Sequence, residues 1–223
     1  MLIAVIPTLN RYDLLPGAIR ALSSGTVCPD EIHVIDNGGV CPDMRSVRVT
    51  RPGCNLGVAA SWNLGIRDAH ARNAIPIVLN DDIAVAADAV ANMLAHISNG
   101  APLVCCNEGP PGVGQCWAMF SQTQEVTRRV GWYDEGFWPA YYEDCDYAQR
   151  LKRANIPVLL ASDVFIAYTD GGAGATGRAL GTHETRLFAL AKERNRQRYV
   201  RKWGGMPGYE TVALPFNSII AVG

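Results

Sequence analysis

Two groups of acidic residues have the types and spacing that chemistry needs. Asp81 and Asp82 are adjacent and follow the apolar run Ile75–Leu79. Neighbouring carboxylates repel each other unless positive charge lies close by. A Mn²⁺ or Mg²⁺ ion bound to a diphosphate supplies that charge, because such ions take one or two carboxylates and complete their shell from phosphate and water. A solvated turn or a helix N-cap accommodates the same pair without any ligand. The second group lies in GWYDEGFWPAYYEDCD, residues 131–146. The helix dipole favours acids at a helix start, but it does not explain the aromatic residues beside them. Asp144 and Asp146 are two apart, so on a helix they point in nearly opposite directions. Asp146 precedes Arg150 by four residues, a favourable intrahelical pair. Asp144 is left as the free carboxylate and the candidate general base.

Polar residues follow the other apolar runs too. Pro7-Thr8-Leu9-Asn10-Arg11 follows Leu2–Pro7, and Asp36 ends EIHVID before Asn37-Gly38-Gly39. Asp36 can accept hydrogen bonds from a ribose or a base, or it can close an Asx-turn. Asn55-Leu56-Gly57 precedes a helical stretch bearing Asn63 and Gly65. Its glycines permit close backbone approach, and a helix N-terminus favours an anion. For Gly65, packing of helix on sheet is the stronger reading. The spacing is not G-x-G-x-x-G, so the dehydrogenase fingerprint is absent.

These residues need elements to hold them. Apolar runs at Leu2–Pro7, Glu31–Asp36, Ser46–Thr50, Ile75–Leu79, Pro102–Cys106, Gln115–Phe120 and Pro157–Ala161 predict strands. Helical spacing is found over Arg11–Ser23, Val58–Ala71, Ala87–Ile97, Ser121–Val130, Tyr141–Ala154 and Glu184–Lys202. The alternation predicts an α/β fold with a single, mostly parallel twisted sheet flanked by helices. In such sheets ligands bind beyond the carboxyl ends of the strands, where the polar groups above emerge. A Gly-rich loop spans Asp170–Gly181.

Hydrophobic residues make up 48% of the chain and charged residues 18%, which excludes global disorder. The net charge of -1 implies no general polyanion-binding surface. Seven cysteines without C-x-x-C spacing argue against a disulfide scaffold or zinc knuckle and fit a reducing cytoplasm. The N-terminal apolar run lacks a basic n-region and a cleavage site, so it reads as a strand and not a signal peptide. No apolar run approaches the roughly 20 residues of a membrane span.

With these motifs in order, the chain resembles the inverting glycosyltransferases of family 2, which have the GT-A fold. The likeness is nearest to bacterial and phage members of the rhamnosyl- and galactofuranosyltransferase type, and it covers nearly the whole chain. PTLNR resembles the family's nucleotide-binding first loop, at Pro7, Thr8, Asn10 and Arg11. VIDNG places Asp36 at the nucleoside. NLGVAASWNLG resembles a recurring N-x-G…N-x-G pattern that puts Asn55, Gly57 and Asn63 at the donor. LNDD resembles the D-x-D element, so that Asp82 ligates the metal and Asp81 helps hold the donor. GWYDEGFWPAYYEDCDYAQRL resembles the acceptor loop and E-D-x-D helix, with Asp144 as catalytic base and Trp138, Tyr142 and Glu143 at the acceptor. RNRQRYVRKWGG resembles the family's tail.

The resemblance implies transfer of a hexose from a nucleoside-diphosphate sugar, UDP- or dTDP-linked, to an acceptor hydroxyl with inversion and with Mn²⁺ or Mg²⁺. The acceptor is a glycan, a lipid-linked sugar, a protein or a modified base. Trp132, Phe137 and Tyr141 join Trp138 and Tyr142 as aromatics that either stack on sugars or pack in the core. The chain is expected to be one domain over 1–223. Residues 1–82 form a Rossmann-like half mainly for the nucleotide sugar, 83–203 mainly the acceptor and catalytic half, and 204–223 a tail. A homodimer through Thr211–Gly223 is compatible with this, and the expected location is the cytoplasm, in part at the membrane. Two departures stand out. The D-x-D element begins with Asn80, and the family's metal-binding histidine after the last strand is missing. Asp170 or His183 are its candidate substitutes, and Arg178 is a candidate diphosphate contact. A non-catalytic nucleotide-sugar-binding module and a transferase acting on modified nucleic acid are the alternatives. The latter draws on the basic stretch from Arg194 to Lys202.

Overall fold

The computed structural model describes residues 1–107, 116–169 and 182–211. Eight strands form one sheet: β1 Leu2–Thr8, β2 Glu31–Asp36, β3 Val47–Thr50, β4 Ile75–Leu79, β5 Ile83–Val85, β6 Leu103–Asn107, β7 Cys116–Gln122 and β8 Val158–Tyr168. The helices are α1 Leu15–Ser23, α2 Val58–Ala71, α3 Ala89–Ser98, α4 Gln124–Val130, α5 Glu143–Arg153 and α6 Thr182–Trp203. The strand order is β3-β2-β1-β4-β7-β6-β8-β5.

The α/β class and the helix-flanked sheet are as expected. The N-terminal half is parallel throughout, with β1 between β2 and β4 and with β3 beyond β2. The second half is mixed. β7 runs antiparallel to β4 and β6, β5 runs antiparallel to β8, and β6 pairs with β8 in parallel.

The side-chain alternation along β1 accounts for the two layers. Leu2, Ala4 and Ile6 pack with Leu15 and Leu22 of α1 and Met93 of α3. Ile3 and Val5 face the other side, with Trp62 and Ile66 of α2 and Tyr147 and Leu151 of α5. At Gly65, α2 packs closely on β1. A Cβ there would lie 2.2 Å from a methyl of Val5, so the packing reading of this glycine holds.

Boundaries move where local chemistry differs from periodicity. α1 starts at Leu15, not Arg11, because Pro16 sits in its first turn and residues 11–14 form a turn closed by Leu14 N–H to the Arg11 carbonyl. Ser121 and Gln122 belong to β7, so α4 starts at Gln124. α5 starts at Glu143 because Tyr141 and Tyr142 have φ of 77° and 74°. β8 continues past Ala161 to Tyr168, and β5 was not expected. The Gly-rich loop with Asp170 and Arg178, the Pro110-Pro111-Gly112 turn and residues 212–223 lie outside the described residues, as does the side chain of His183. Among the described residues no helix is long and apolar enough to cross a membrane.

Candidate active site

β1 and β4 are parallel neighbours, so Thr8 and Asp81–Asp82 leave the sheet at the same edge. α5 approaches this edge from the side. A cavity of about 380 Å³ lies between them. Thr8, Asp81 and Asp82 line its sheet side, Tyr141, Glu143 and Asp144 line its helix side, and Trp62 and Trp117 add aromatic wall. A second cavity of about 620 Å³ abuts it and shares Leu9, Asn37, Asn55, Pro139 and Phe188. Asn10 and Gly38 line it from the ends of β1 and β2, and Trp138, Leu187, Leu190 and Arg194 line it from across.

The carboxylates of the first cavity are held out of water. Asp81 and Asp82 are buried. Burial, opposed by the nearby Thr8 hydroxyl and reinforced by the charge of Asp82, pushes Asp81 up to about 7, with Arg11 pulling down. The Thr8 hydroxyl lies close to Asp81 without meeting hydrogen-bond geometry, and it is itself buried. The backbone carbonyl of Asp82 accepts from the Thr169 N–H (2.8 Å) and hydroxyl (2.9 Å), which ties the strand end to β8. Among the described residues no three of His, Cys, Asp and Glu come together as a metal cluster. The Asp81–Asp82 pair still suits a hard cation that fills its shell from phosphate and water. A cation held there would relieve the repulsion between the two buried carboxylates.

At the start of α5 the two acids part ways as expected. Asp146 is fully buried and points away from the cavity. It accepts from Trp203 Nε1 (2.9 Å) and Arg150 Nε (3.0 Å) and pairs with Lys202 (2.6 Å). Asp144 faces the cavity, and its Oδ1 accepts from the Cys145 N–H at 2.7 Å. Burial raises its carboxyl above the ordinary range, against the pull of that bond.

The remaining expected residues divide. Pro7, Thr8, Asn55, Gly57, Asp81, Asp82, Glu143 and Asp144 line the first cavity. Asn10, in a left-handed conformation (φ 57°), lines the second. Arg11 is buried, lines neither cavity, and reaches the site through its charge on Asp81. Asp36 also lines neither. Its oxygens accept from the Tyr12 hydroxyl (2.7 Å), Gly38 N–H (3.0 Å) and Cys41 N–H (2.8 Å), which is the turn-closing geometry. Asn63 lines neither cavity. It clamps Tyr133 through N–H and carbonyl, each at 2.9 Å, and bonds Glu135 at 2.9 Å.

The close approach at Gly57 is to protein. A Cβ would lie 2.8 Å from Trp138 and 2.9 Å from the Pro139 carbonyl. The N–H groups of Leu56, Gly57 and Val58 bond Asn37, Asn55 and Pro139, so the start of α2 is already satisfied and offers these donors to no anion. Trp138 lines the second cavity with an exposed ring, its indole N–H on the Asn55 carbonyl (2.9 Å) and its own carbonyl on Arg194. The Tyr142 ring turns away to Tyr199 (5.6 Å), in the cluster with Phe137 and Trp203, and Tyr141 takes its place at the cavity. Phe137 is core, and Trp132 lies under Arg67.

Sequence reasoning missed Asn37, Trp117, Tyr168 and Phe188. Asn37 reads as a strand stop. In the fold its side chain joins the end of β2 to α2 through Leu56 N–H (2.9 Å) and Ser61 (3.0 Å).

Residues 3–128 match the family model described as Glycosyl transferase family 2. No curated protein sequence matches the chain. Three of the solved structures that share its fold are glycosyltransferases. The mannosyltransferase PcManGT from Pyrobaculum calidifontis, in complex with GDP-Man and Mn²⁺, is 15% identical with a TM-score of 0.62, over 93% of this chain and 66% of that one. S. aureus TarS 1-349 in complex with UDP is 12% identical with a TM-score of 0.58, over 90% and 70%. GalNAc-T7 with UDP, GalNAc and Mn²⁺ is 15% identical with a TM-score of 0.67, over 91% and 48%. The chain thus spans 48% to 70% of the length of these three.

Proposed function

The chain belongs to glycosyl transferase family 2, and we propose that it moves a hexose from a UDP- or dTDP-sugar to an acceptor hydroxyl with inversion at the anomeric carbon. The observation that supports this reading is one cavity with Asp81–Asp82 on the sheet side and Asp144 on the helix side. Leaving group and attacking oxygen must lie on opposite faces of the reacting carbon in a single displacement, and the two carboxylate groups bracket such a carbon.

The donor runs across both cavities. Its nucleoside occupies the second, against Asn10, Gly38 and the exposed face of Trp138, and its sugar occupies the first. This moves Trp138 from the acceptor side to the donor side. Asp36 acts as a positioning residue, because it holds Tyr12 and the turn that forms the nucleoside wall. Thr8, Asn55 and Pro7 lie along the join. Asp82, with Asp81 beside it, would hold Mn²⁺ or Mg²⁺, which when bound stabilises charge on the departing diphosphate. Asp144 takes the proton of the acceptor hydroxyl as that oxygen attacks. Glu143 and Tyr141 stand on the acceptor side.

The test is calorimetric titration with a panel of nucleoside diphosphates, with and without Mn²⁺, alongside turnover. One nucleotide binds in a metal-dependent way, Asp82→Ala abolishes that binding, and Asp144→Asn keeps it while kcat falls ~10²–10⁴-fold. Unchanged kcat in Asp144→Asn sinks the assignment of the base. No nucleotide binding in any condition sinks the donor site.

A further inference from the structure

Carboxylates line both sides of the first cavity, Asp81 and Asp82 on one and Glu143 and Asp144 on the other. A diphosphate brings more negative charge to them. Among the described residues a single Lys or Arg lines either cavity, Arg194 of α6, at the second. Arg11 is buried and lines neither. Other cations of α6 are taken up by the protein. Arg196 pairs with Glu193 (2.7 Å), Arg198 with Asp134 (3.0 Å), and Lys202 with Asp134 (2.9 Å) and Asp146 (2.6 Å). Arg194 has no carboxylate partner among the described residues. Its Nη2 donates to the Trp138 carbonyl and, at 3.5 Å, to Asn195 Oδ1, and no described residue bonds its Nε or Nη1.

The guanidinium is also held in place. Its Cζ lies 5.8 Å from the centre of the Trp138 ring, and the indole N–H of that ring bonds the Asn55 carbonyl at 2.9 Å. Asn55 and Pro139 line both cavities, so Arg194 stands beside the seam between them. The next residue, Asn195, is fully buried and donates to the carbonyls of Trp138 (3.2 Å), Ala140 (2.9 Å) and Tyr141 (3.3 Å), which pins α6 to the loop at that seam. A planar fork fixed at one nitrogen, with its other N–H groups unclaimed, suits phosphate oxygens. Fixing it beforehand lowers the ordering cost of binding. We infer that Arg194 binds the phosphate next to the nucleoside, so that the donor is held at two points: the near phosphate by Arg194 and the far one at Asp81–Asp82. The inference rests on the reading of the donor as spanning both cavities. It gives donor recognition a half that needs no metal, and it selects a nucleotide over a nucleoside before the cation is engaged.

The test is calorimetric titration of the full chain with uridine, UMP and UDP, and with thymidine, dTMP and dTDP, in EDTA and in Mn²⁺. In the base series that the wild type binds, the monophosphate should bind about 10–100-fold tighter than the nucleoside in EDTA. Arg194→Gln loses that factor for the monophosphate and keeps the Kd of the nucleoside. Arg194→Lys, which keeps the charge without the fork, retains part of the factor. Mn²⁺ still tightens the diphosphate in Arg194→Gln. A wild type that binds monophosphate and nucleoside equally in EDTA overturns the inference. So does an equal loss for both ligands in Arg194→Gln and Arg194→Lys, which would make Arg194 only a clamp on the Trp138 carbonyl. In either case metal-dependent binding of the diphosphate and its loss in Asp82→Ala survive. No nucleotide binding by the wild type in any condition overturns the donor reading first and this inference with it.

Discussion

The pair Glu143–Asp144 sets two opposite demands on one helix turn. The dipole at the start of α5 favours carboxylates, yet burial raises both groups. For Asp144 the consequence is kinetic. The base must be ionised to accept a proton, so kcat/KM should fall with decreasing pH through a value above the ordinary Asp range near 3.9. A pH–rate profile with its acid limb at or below that range would show that Asp144 is not the base. For Glu143 the consequence is stability. Its folded-state pKa lies above its unfolded value, so the folded state binds the proton more tightly, and stability is lost as pH rises from about 4.5 towards the raised value. Glu143→Gln removes that loss. The variant should melt at a higher temperature than wild type at pH 8, by about 2–4 °C per kcal/mol regained, and the gap should close towards pH 4. A gap independent of pH would mean that folding leaves the Glu143 carboxyl unshifted.

α6 connects α5 to the wall of both cavities. Its C-terminal turn is fastened by Lys202, which reaches Asp134 at 2.9 Å and the fully buried Asp146 at 2.6 Å. Burial alone would raise Asp134, but the charges of Lys202 and Arg198 bring it down to about 2. About four turns earlier the same helix presents Phe188 to both cavities, with its ring 6.4 Å from Tyr141. Removing one partner from a buried pair leaves the other charge stranded. Lys202→Met should therefore cost about 1–3 kcal/mol, reduced from the fully buried case because Lys202 retains some exposure. It should also weaken nucleotide binding, because Phe188 loses its register. Thermal melts and calorimetric Kd values check both, and a stability loss with an unchanged Kd would mean that α6 is a strut and not part of the wall. The basic residues that left nucleic acid open as an acceptor thus include Lys202 and Arg198, and these are engaged with Asp134.

The site lies at the point in the molecule where the strand order turns. β1 sends the chain to β2 on one side and receives β4 on the other, and loops diverging from such a switch point leave a crevice. Thr8, Asp81 and Asp82 were legible in the sequence for that reason, since a polar residue after an apolar strand has only one edge to occupy. Asp144 was legible because Arg150 claims Asp146. Asn63 and Tyr142 were not, because the direction of a side chain on a helix or at a left-handed turn is decided by what packs against it. The fourteen-residue α2 turns Asn63 to Tyr133, and the positive φ at Tyr142 turns its ring to Tyr199. β5 escaped notice because three residues are too short for a period, and its pairing with β8 is tertiary. The same assembly predicts how a ligand acts on the whole. A nucleotide that bridges β1, β2 and β4 on one side and α6 on the other binds the folded chain only. At a hundredfold excess over Kd it should add about 2.7 kcal/mol of stability, which corresponds to roughly 5–10 °C in Tm for a chain of this size. The shift should need both Mn²⁺ and Asp82. A nucleotide shift that persists in Asp82→Ala without metal would place the nucleotide in the second cavity alone, with its diphosphate away from the carboxylates that are meant to receive it.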